Sequence, residues 1–411
     1  MKHSTVLIGI CALLLVAGAT TAGAENGLRP EDHAANPAFF AFGDREYAEL
    51  GVSADASVAN TVLSLSEIFA ETIVIDLDEL YEKTPDRGMR LASSIGLETH
   101  LGVKLPRLGF GFFTETSNLS RVTIPREFIG LIAEGSGLDE DYADSTELVQ
   151  RSYARSGMYA TYETFGFIFG GKLGAFAPGV HSDTNTTADF ELTTESGGTV
   201  EGEVSASGDA YTSFGDEGLE GVGFNVGLGV VRPDKQGKPL YGGAINSIPL
   251  VASRPGYIVE LEEYRYTFTT ESLLDRFENE EDPFDTDDIE GDLDTRKLDS
   301  GDRPRVHMPI SLSGFYRCAV PVVDVVPTAE VVFGDYPRLN AEVNVEGNVF
   351  PANILSVGLG YRDFLWRAGF AVRAPLRVFE LELRVRSVGT EMAGVVDGRG
   401  IGAGLSLALG Y

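Results

Sequence analysis

The sequence predicts an all-β protein, a transmembrane antiparallel β-barrel of about 12–14 strands with a short N-terminal plug and a few short loop helices. Three observations predict it. The final stretch alternates strictly, with Ile401, Ala403, Leu405, Leu407, Leu409 and Tyr411 on one face and Gly402, Gly404, Ser406, Ala408 and Gly410 on the other. Side chains of a strand point to opposite faces, and this one is long enough to cross a bilayer at a tilt. Period-two segments recur from about residue 46 onward, and the opening residues read as an export signal.

In chain order, residues 1–24 form the predicted signal. Met1-Lys2-His3 is a basic start, Val6 to Val16 is apolar except for Gly9, and Ala22-Gly23-Ala24 offers a small-x-small cleavage site. Cys11 follows Ile10, where a lipoprotein signal has a small residue, so Cys318 is expected to be the sole mature cysteine, without an intramolecular disulfide. Residues 46–411 are assigned to the barrel, with no internal domain boundary, and residues 25–45 precede it as the segment for which the resemblance given below implies a plug.

The most regular strands lie late in the chain. Leu339, Ala341, Val343, Val345 and Val349 alternate with Asn340, Glu342, Asn344, Glu346 and Asn348. Leu355 to Tyr361 follows, then Phe364 to Val372 opposite Arg367 and Arg373. In the next segment Phe379, Leu381, Leu383 and Val385 oppose Glu380, Glu382, Arg384 and Arg386. This is an antiparallel meander. An arginine on the lipid side near the midplane costs roughly 2–4 kcal/mol, so inverting that last strand would cost on the order of 10 kcal/mol. The charged faces therefore point into the lumen. Ile95 to Val103, Leu108 to Thr114, Met158 to Phe169, Val222 to Val230, Tyr257 to Phe268 and Val306 to Tyr316 are noisier strand-like segments. A periplasmic β-sandwich or soluble barrel alternates in the same way, so alternation alone leaves both readings open.

Short helices are expected at Leu63 to Ala70, Asp76 to Lys83 and Thr123 to Glu134; the last has a capping Thr123, Pro125 in its first turn and Gly135 at its end. Its Phe128, Ile129, Leu131 and Ile132 either pack on other loops or line a greasy ligand groove. Asp183 to Gly215 reads as a loop or a long hairpin above the membrane. Asp275 to Asp294 carries eleven acidic residues and one arginine, so it reads as solvated loop; divalent cations are its natural counterions, although it lacks the glycine and closing glutamate of an EF-hand.

Catalysis has little support. His33, His100, His181 and His307 are scattered without metal-site spacing, no GxSxG elbow occurs, and no metal or cofactor site is expected. The GxG repeats, such as Gly227-Leu228-Gly229 and Gly358-Leu359-Gly360, do not lead from a strand into a helix and read as barrel curvature. The formal charge of -30 argues against nucleic acid or anionic lipid as a direct partner, and the expected partners are membrane lipid and hydrophobic small molecules. Arg367, Arg373, Arg384 and Arg386 either hold a substrate carboxylate or form a cross-strand ladder with Glu380 and Glu382.

Ala34-Ala35-Asn36-Pro37-Ala38-Phe39-Phe40, placed between the signal and a first strand near Tyr47, resembles the start of the long-chain fatty acid transporter family. The chain is also similar to uncharacterised spirochaete and Bacteroidetes outer-membrane proteins distantly related to that family. The resemblance implies that Asn36, Pro37, Ala38, Phe39 and Phe40 take the hatch positions. It also implies that Phe128 to Ile132 form the loop groove, and that ligand leaves sideways through a strand kink near the hatch. Few residues precede the first strand, and the Gly-Ala-rich stretch expected upstream is missing. The expected function is passive uptake of hydrophobic molecules such as long-chain fatty acids across the cell outer membrane. The alternatives are a surface barrel that binds host or matrix partners through acidic loops, and a water-filled porin.

Overall fold

The computed structural model describes residues 35–42, 48–64, 77–134, 141–183, 185–194, 200–260, 264–269, 289–290, 295–320, 323–350, 353–375 and 379–410. The signal, most of the acidic run at 275–294, most of the helix expected at Leu63 to Ala70, and Tyr411 lie outside these residues.

Fourteen strands form the wall. They are β1 (Ala48–Asn60), β2 (Met89–Lys104), β3 (Leu108–Ile124), β4 (Val149–Thr164), β5 (Phe167–Ser182), β6 (Gly223–Pro233) and β7 (Pro239–Val251). The second half comprises β8 (Ile310–Tyr316), β9 (Val323–Phe333), β10 (Arg338–Phe350), β11 (Asn353–Arg362), β12 (Leu365–Pro375), β13 (Phe379–Gly389) and β14 (Gly400–Gly410). Each pairs antiparallel with the next, and β14 pairs with β1 from Ala59↔Gly400 to Glu49↔Gly410, so the sheet closes on itself without an edge. The count is at the top of the expected range and even. Met158 to Phe169, read as one strand-like segment, is a hairpin: Phe165 and Gly166 both have positive φ (53° and 73°), the two-residue turn whose twist suits flanking strands.

The alternation resolves as an inside-out molecule. Phe112, Leu228, Leu339, Val357, Phe370 and Leu383 are more than half exposed on the outer face. Glu98, Arg155, Lys172, Asn225, Asn344, Glu382 and Arg384 are buried in the interior. A water-soluble sandwich would bury the first set, at roughly 1.5–3 kcal/mol per large apolar side chain, and wet the second. Hydrocarbon is the solvent that fits this distribution, and among the described residues no helix is long and apolar enough to cross a membrane. The chain is an outer-membrane β-barrel.

Both described chain ends lie at the same end of the barrel as the β2–β3, β4–β5 and β6–β7 turns. The opposite end carries the long connections of the first half. There α1 (Leu77–Lys83) and α2 (Arg126–Glu134) meet, with the Arg126 guanidinium 4.6 Å above the Tyr81 ring. Beside them lies a five-stranded sheet in the order Ile289–Glu290, Tyr264–Thr269, Val200–Ser207, Thr187–Thr194, Asp141–Glu147. The segment from Asp183 thus forms the hairpin 187–194/200–207. Phe128, Ile129, Phe190, Leu192, Leu80, Val62 and the outer ends of β2 and β3 form one apolar cluster under this cap. The connections of the second half are tight, as at Asp363 and Phe364 (φ 51° and 66°), apart from the loop carrying α3 (Met392–Val396).

Candidate functional site

The segment before β1 is seated inside the barrel near the end where the chain termini lie. Pro37–Ala41 forms one 3-10 turn; the Asn36 side chain caps it, accepting from Ala38 N at 2.9 Å, and Pro37 fixes the first helical φ. The same Asn36 side chain donates to Val230 O (3.4 Å) on β6 and Gly243 O (3.3 Å) on β7. Ala35 O accepts from Asn246 Nδ2 (2.6 Å) and Ser313 Oγ (3.2 Å). Phe39 is buried with Ile168 and Val231, its ring 5.2 Å from that of Phe315. Phe40 stacks on Tyr159 at 3.4 Å and meets His100, whose Nε2 lies 3.0 Å from Glu49 Oε1. The wall is cut to receive this turn: a Cβ on Gly170 would stand 2.2 Å from Ala38 N, and one on Gly229 2.0 Å from Asn36 Oδ1.

Above Ala35 is a chamber of about 140 Å³. Arg151 and Arg155 of β4, Lys172 of β5, Asn246 of β7 and Tyr336 of the β9–β10 turn are among the residues around it. Arg155 Nη1 donates to Glu115 Oε1 at 2.8 Å, and Lys172 Nζ is 3.9 Å from the other oxygen of that carboxylate. Arg155 is 2% exposed, yet among the described residues its Nε and Nη2 have no hydrogen-bond partner, nor has Nη2 of Arg151. Arg151 Nη1 donates to Ser182 Oγ (2.8 Å); its Nη2 is 3.7 Å from Asp335, and its guanidinium lies 4.9 Å from the Tyr336 ring centre. Burial pushes the Tyr336 phenol up, so it stays neutral beside this charge. The chamber therefore presents unsatisfied, permanently charged donors, a setting that favours an anionic group able to accept in a fork.

One side of the chamber is an interrupted seam. β7 pairs with β8 only from Tyr241↔Tyr316 to Asn246↔Ser311, and the next contact outward is the single bridge Ser253↔Val306. Between them β7 slips register twice against β6, Ser247 adopts a positive φ of 56°, and Pro249 has no N–H to donate. Ser247, Met308 and Pro309 border both seam and chamber.

The residues singled out from sequence fall in three places. Asn36 to Phe40 form the plug turn. Phe128 and Ile129 are buried in the cap cluster, with Phe128 5.0 Å from Phe190 and 6.3 Å from Tyr142, and they do not line the chamber. Leu131 and Ile132 belong to the same helix, α2. Arg373, Arg384 and Arg386 are brought together on the lumen wall, where acidic neighbours engage them. Arg373 lies 3.2 Å from Glu382, Arg384 bonds Glu382 and Ser406, and Arg386 donates through its single Nη1 to both oxygens of Asp55 at 3.0 and 2.9 Å. Among the described residues Arg367 has no such partner. Sequence reasoning missed Arg151, Arg155, Lys172 and Asn246; the first two, four apart and on one strand face, were the available signal. The divalent-cation expectation gains no support, since no metal-holding group of acidic, His or Cys side chains occurs among the described residues.

No protein-family model matches the chain, and no curated protein matches it. Among solved structures, the toluene transporter TodX of Pseudomonas putida aligns over 95% of this chain and 96% of its own at 11% identity, with a TM-score of 0.46. The CymD monoaromatic hydrocarbon channel aligns over 95% and 94% at 9% identity, with a TM-score of 0.33. The outer membrane protein Omp33 of Acinetobacter baumannii aligns over 89% and 99% at 9% identity, with a TM-score of 0.24.

Proposed function

We propose that this barrel carries amphipathic hydrophobic molecules with an anionic head, of the long-chain fatty acid kind, passively across the outer membrane. The observation that carries the reading is the pair of guanidinium nitrogens on the buried Arg155 left without a partner among the described residues, lining a chamber floored by the plug and flanked by the β7–β8 seam. At about 140 Å³ the chamber is smaller than the roughly 300–1,000 Å³ of a site that encloses a whole drug-sized ligand. It suits a carboxylate, with the tail left to the seam beside Met308 and Pro309 and to the hydrocarbon beyond. The path then runs from the outer mouth to Arg151 and Arg155, and onward past the turn held by Asn36 or sideways through the seam. Nothing in this path requires an energy source, because the gradient of a membrane-soluble molecule supplies the direction.

The test is uptake of labelled oleate and of oleyl alcohol into proteoliposomes, with conductance recorded in planar bilayers. The reading predicts oleate uptake above oleyl alcohol uptake and no steady conductance. Arg151→Gln with Arg155→Gln removes charge-assisted bonds worth roughly 1.5–3 kcal/mol each, so oleate uptake falls by at least about tenfold while the alcohol is unaffected. Steady conductance would establish a porin instead. Absence of both signals would leave the surface-binding alternative.

A further inference from the structure

On the far wall of the lumen, away from plug and chamber, two glycines face each other across neighbouring strands: Gly358 of β11 is paired in register with Gly369 of β12. They border a cavity of about 20 Å³ inside the layer of charged residues, and the places their side chains would take are filled: a Cβ would stand 2.4 Å from Asn344 Oδ1 on Gly358 and 2.3 Å from Val385 O on Gly369. Asn344 lies next in that row on β10 and Arg386 on β13, with Ser356, Arg367 and Arg384 in the rows on either side. Asn344, Ser356 and Arg367 are respectively 2%, 4% and 6% exposed, and all three line the cavity. Among the described residues, Asn344 Nδ2, Ser356 Oγ, and both Nε and Nη2 of Arg367 have no hydrogen-bond partner. Leaving such groups unmade costs free energy, and more when the group is charged.

The surrounding charges leave Arg367 as the exception. Asp55 is engaged by Arg386 and Glu382 by Arg384 and Arg373, while Arg367 forms no ion pair among the described residues. Three guanidinium groups and one carboxylate, that of Glu342, line the cavity. Its volume is that of a site for one small particle. A water would meet these donors with two lone pairs and bring two protons of its own, whereas an anion accepts from all of them at once. We propose that the Gly358–Gly369 notch binds one monatomic anion of chloride size, held by Arg367, Asn344 and Ser356. The ion fastens β10, β11 and β12 to one another and is separate from the transport path.

The test uses the full-length barrel crystallised with bromide in place of chloride, with anomalous scattering recorded at the bromine edge. A peak in the notch is expected in the wild type and in Arg155→Gln, and its loss is expected in Arg367→Met. Ordered water without an anomalous peak at saturating bromide overturns the assignment, as does a peak confined to the Arg155 chamber. Should Arg367→Met fail to assemble, the wild type alone decides. The temperature at which it loses its compact, fast-migrating form on a gel should rise with chloride concentration at constant ionic strength set with gluconate. An unchanged temperature contradicts the proposal. Because neither readout involves uptake, failure here is distinguishable from failure of the transport reading.

Discussion

The two halves of the barrel wall solve the same problem differently. From β9 through β14 to β1, strands run in continuous register apart from one slip near Phe350, mostly behind tight turns, and the lumen charges are largely paired: Arg373 with Glu382, Arg384 with Glu382, Arg386 with Asp55. From β4 through β8 the wall carries register slips, Ser247 in a left-handed conformation, long outer loops, a ladder that stops at Asn246, and guanidinium groups left unsatisfied. The plug is anchored to this second region, through Asn36 to β6 and β7 and through Ala35 to β7 and β8. A closed barrel has no free edge, so opening has to occur where the ladder is already incomplete. On the proposed transport reading, one half is thus a frame and the other the wall that would open.

The largest expected effect is in the frame. Asp55→Ala leaves Arg386 without its carboxylate partner and Arg384 with one fewer counter-charge, and breaking a buried pair from one side costs roughly 3–5 kcal/mol. Urea unfolding of the refolded barrel should show a loss of that size; a change under 1 kcal/mol would mean that the ladder is solvated and the two walls are alike. Replacement of Phe128 by Ala should cost a similar roughly 3–5 kcal/mol, but in the cap. Proteolysis of the loop between β3 and β4 would accelerate while the fast-migrating barrel persists on a gel. If oleate uptake also collapses with the cap still folded, the groove role implied for α2 by resemblance is restored.

Next is the plug. Gly170→Val places a branched side chain where a Cβ already falls 2.2 Å from Ala38 N, so the turn has to leave its seat. Steady conductance should then appear in planar bilayers where the wild type shows none. An unblocked wild type, or a silent variant with normal folding, would separate the turn from any closing role. The smallest effect lies in the loops, where Lys297 and Arg303 hold the half-buried Glu220 carboxyl below its ordinary value of 4.5. A depressed carboxyl contributes stability above that ordinary value and loses it as pH falls through the lowered one. Protease sensitivity of the 217–303 region should therefore rise only at strongly acidic pH, and the effect should shrink in high salt.

The closing strand was legible because its alternation is strict, and the structure supplies the reason for its small face. A Cβ on Gly404 would stand 2.6 Å from Asp55 Oδ2, so small residues make room for the Asp55–Arg384–Arg386 group. The partnership itself was not legible, since Asp55 and Arg386 lie far apart in sequence and meet only through closure of the ring. The Asn36-Pro37-Ala38 plug was reached through the family resemblance; the local signals that make it a turn, a capping asparagine followed by a proline, stood in the sequence unread. Arg151 and Arg155 could not be read, because β4 mixes polar and apolar residues on both faces, and which face is inner depends on the whole barrel. The apolar bulk of α2 was visible, whereas the sheet strand carrying Phe190, which covers it, was hidden in a Thr-rich segment that reads equally well as loop.

The account rests on hydrocarbon touching the outer faces of the strands, and the single tryptophan tests this directly. Trp366 lies one residue into β12, its ring 5.1 Å from that of Tyr361, at the level where an aromatic girdle meets the head groups. In liposomes its fluorescence should be quenched by lipids brominated near the head group, and less by lipids brominated at mid-chain. Emission unchanged by either lipid would contradict a membrane-embedded wall.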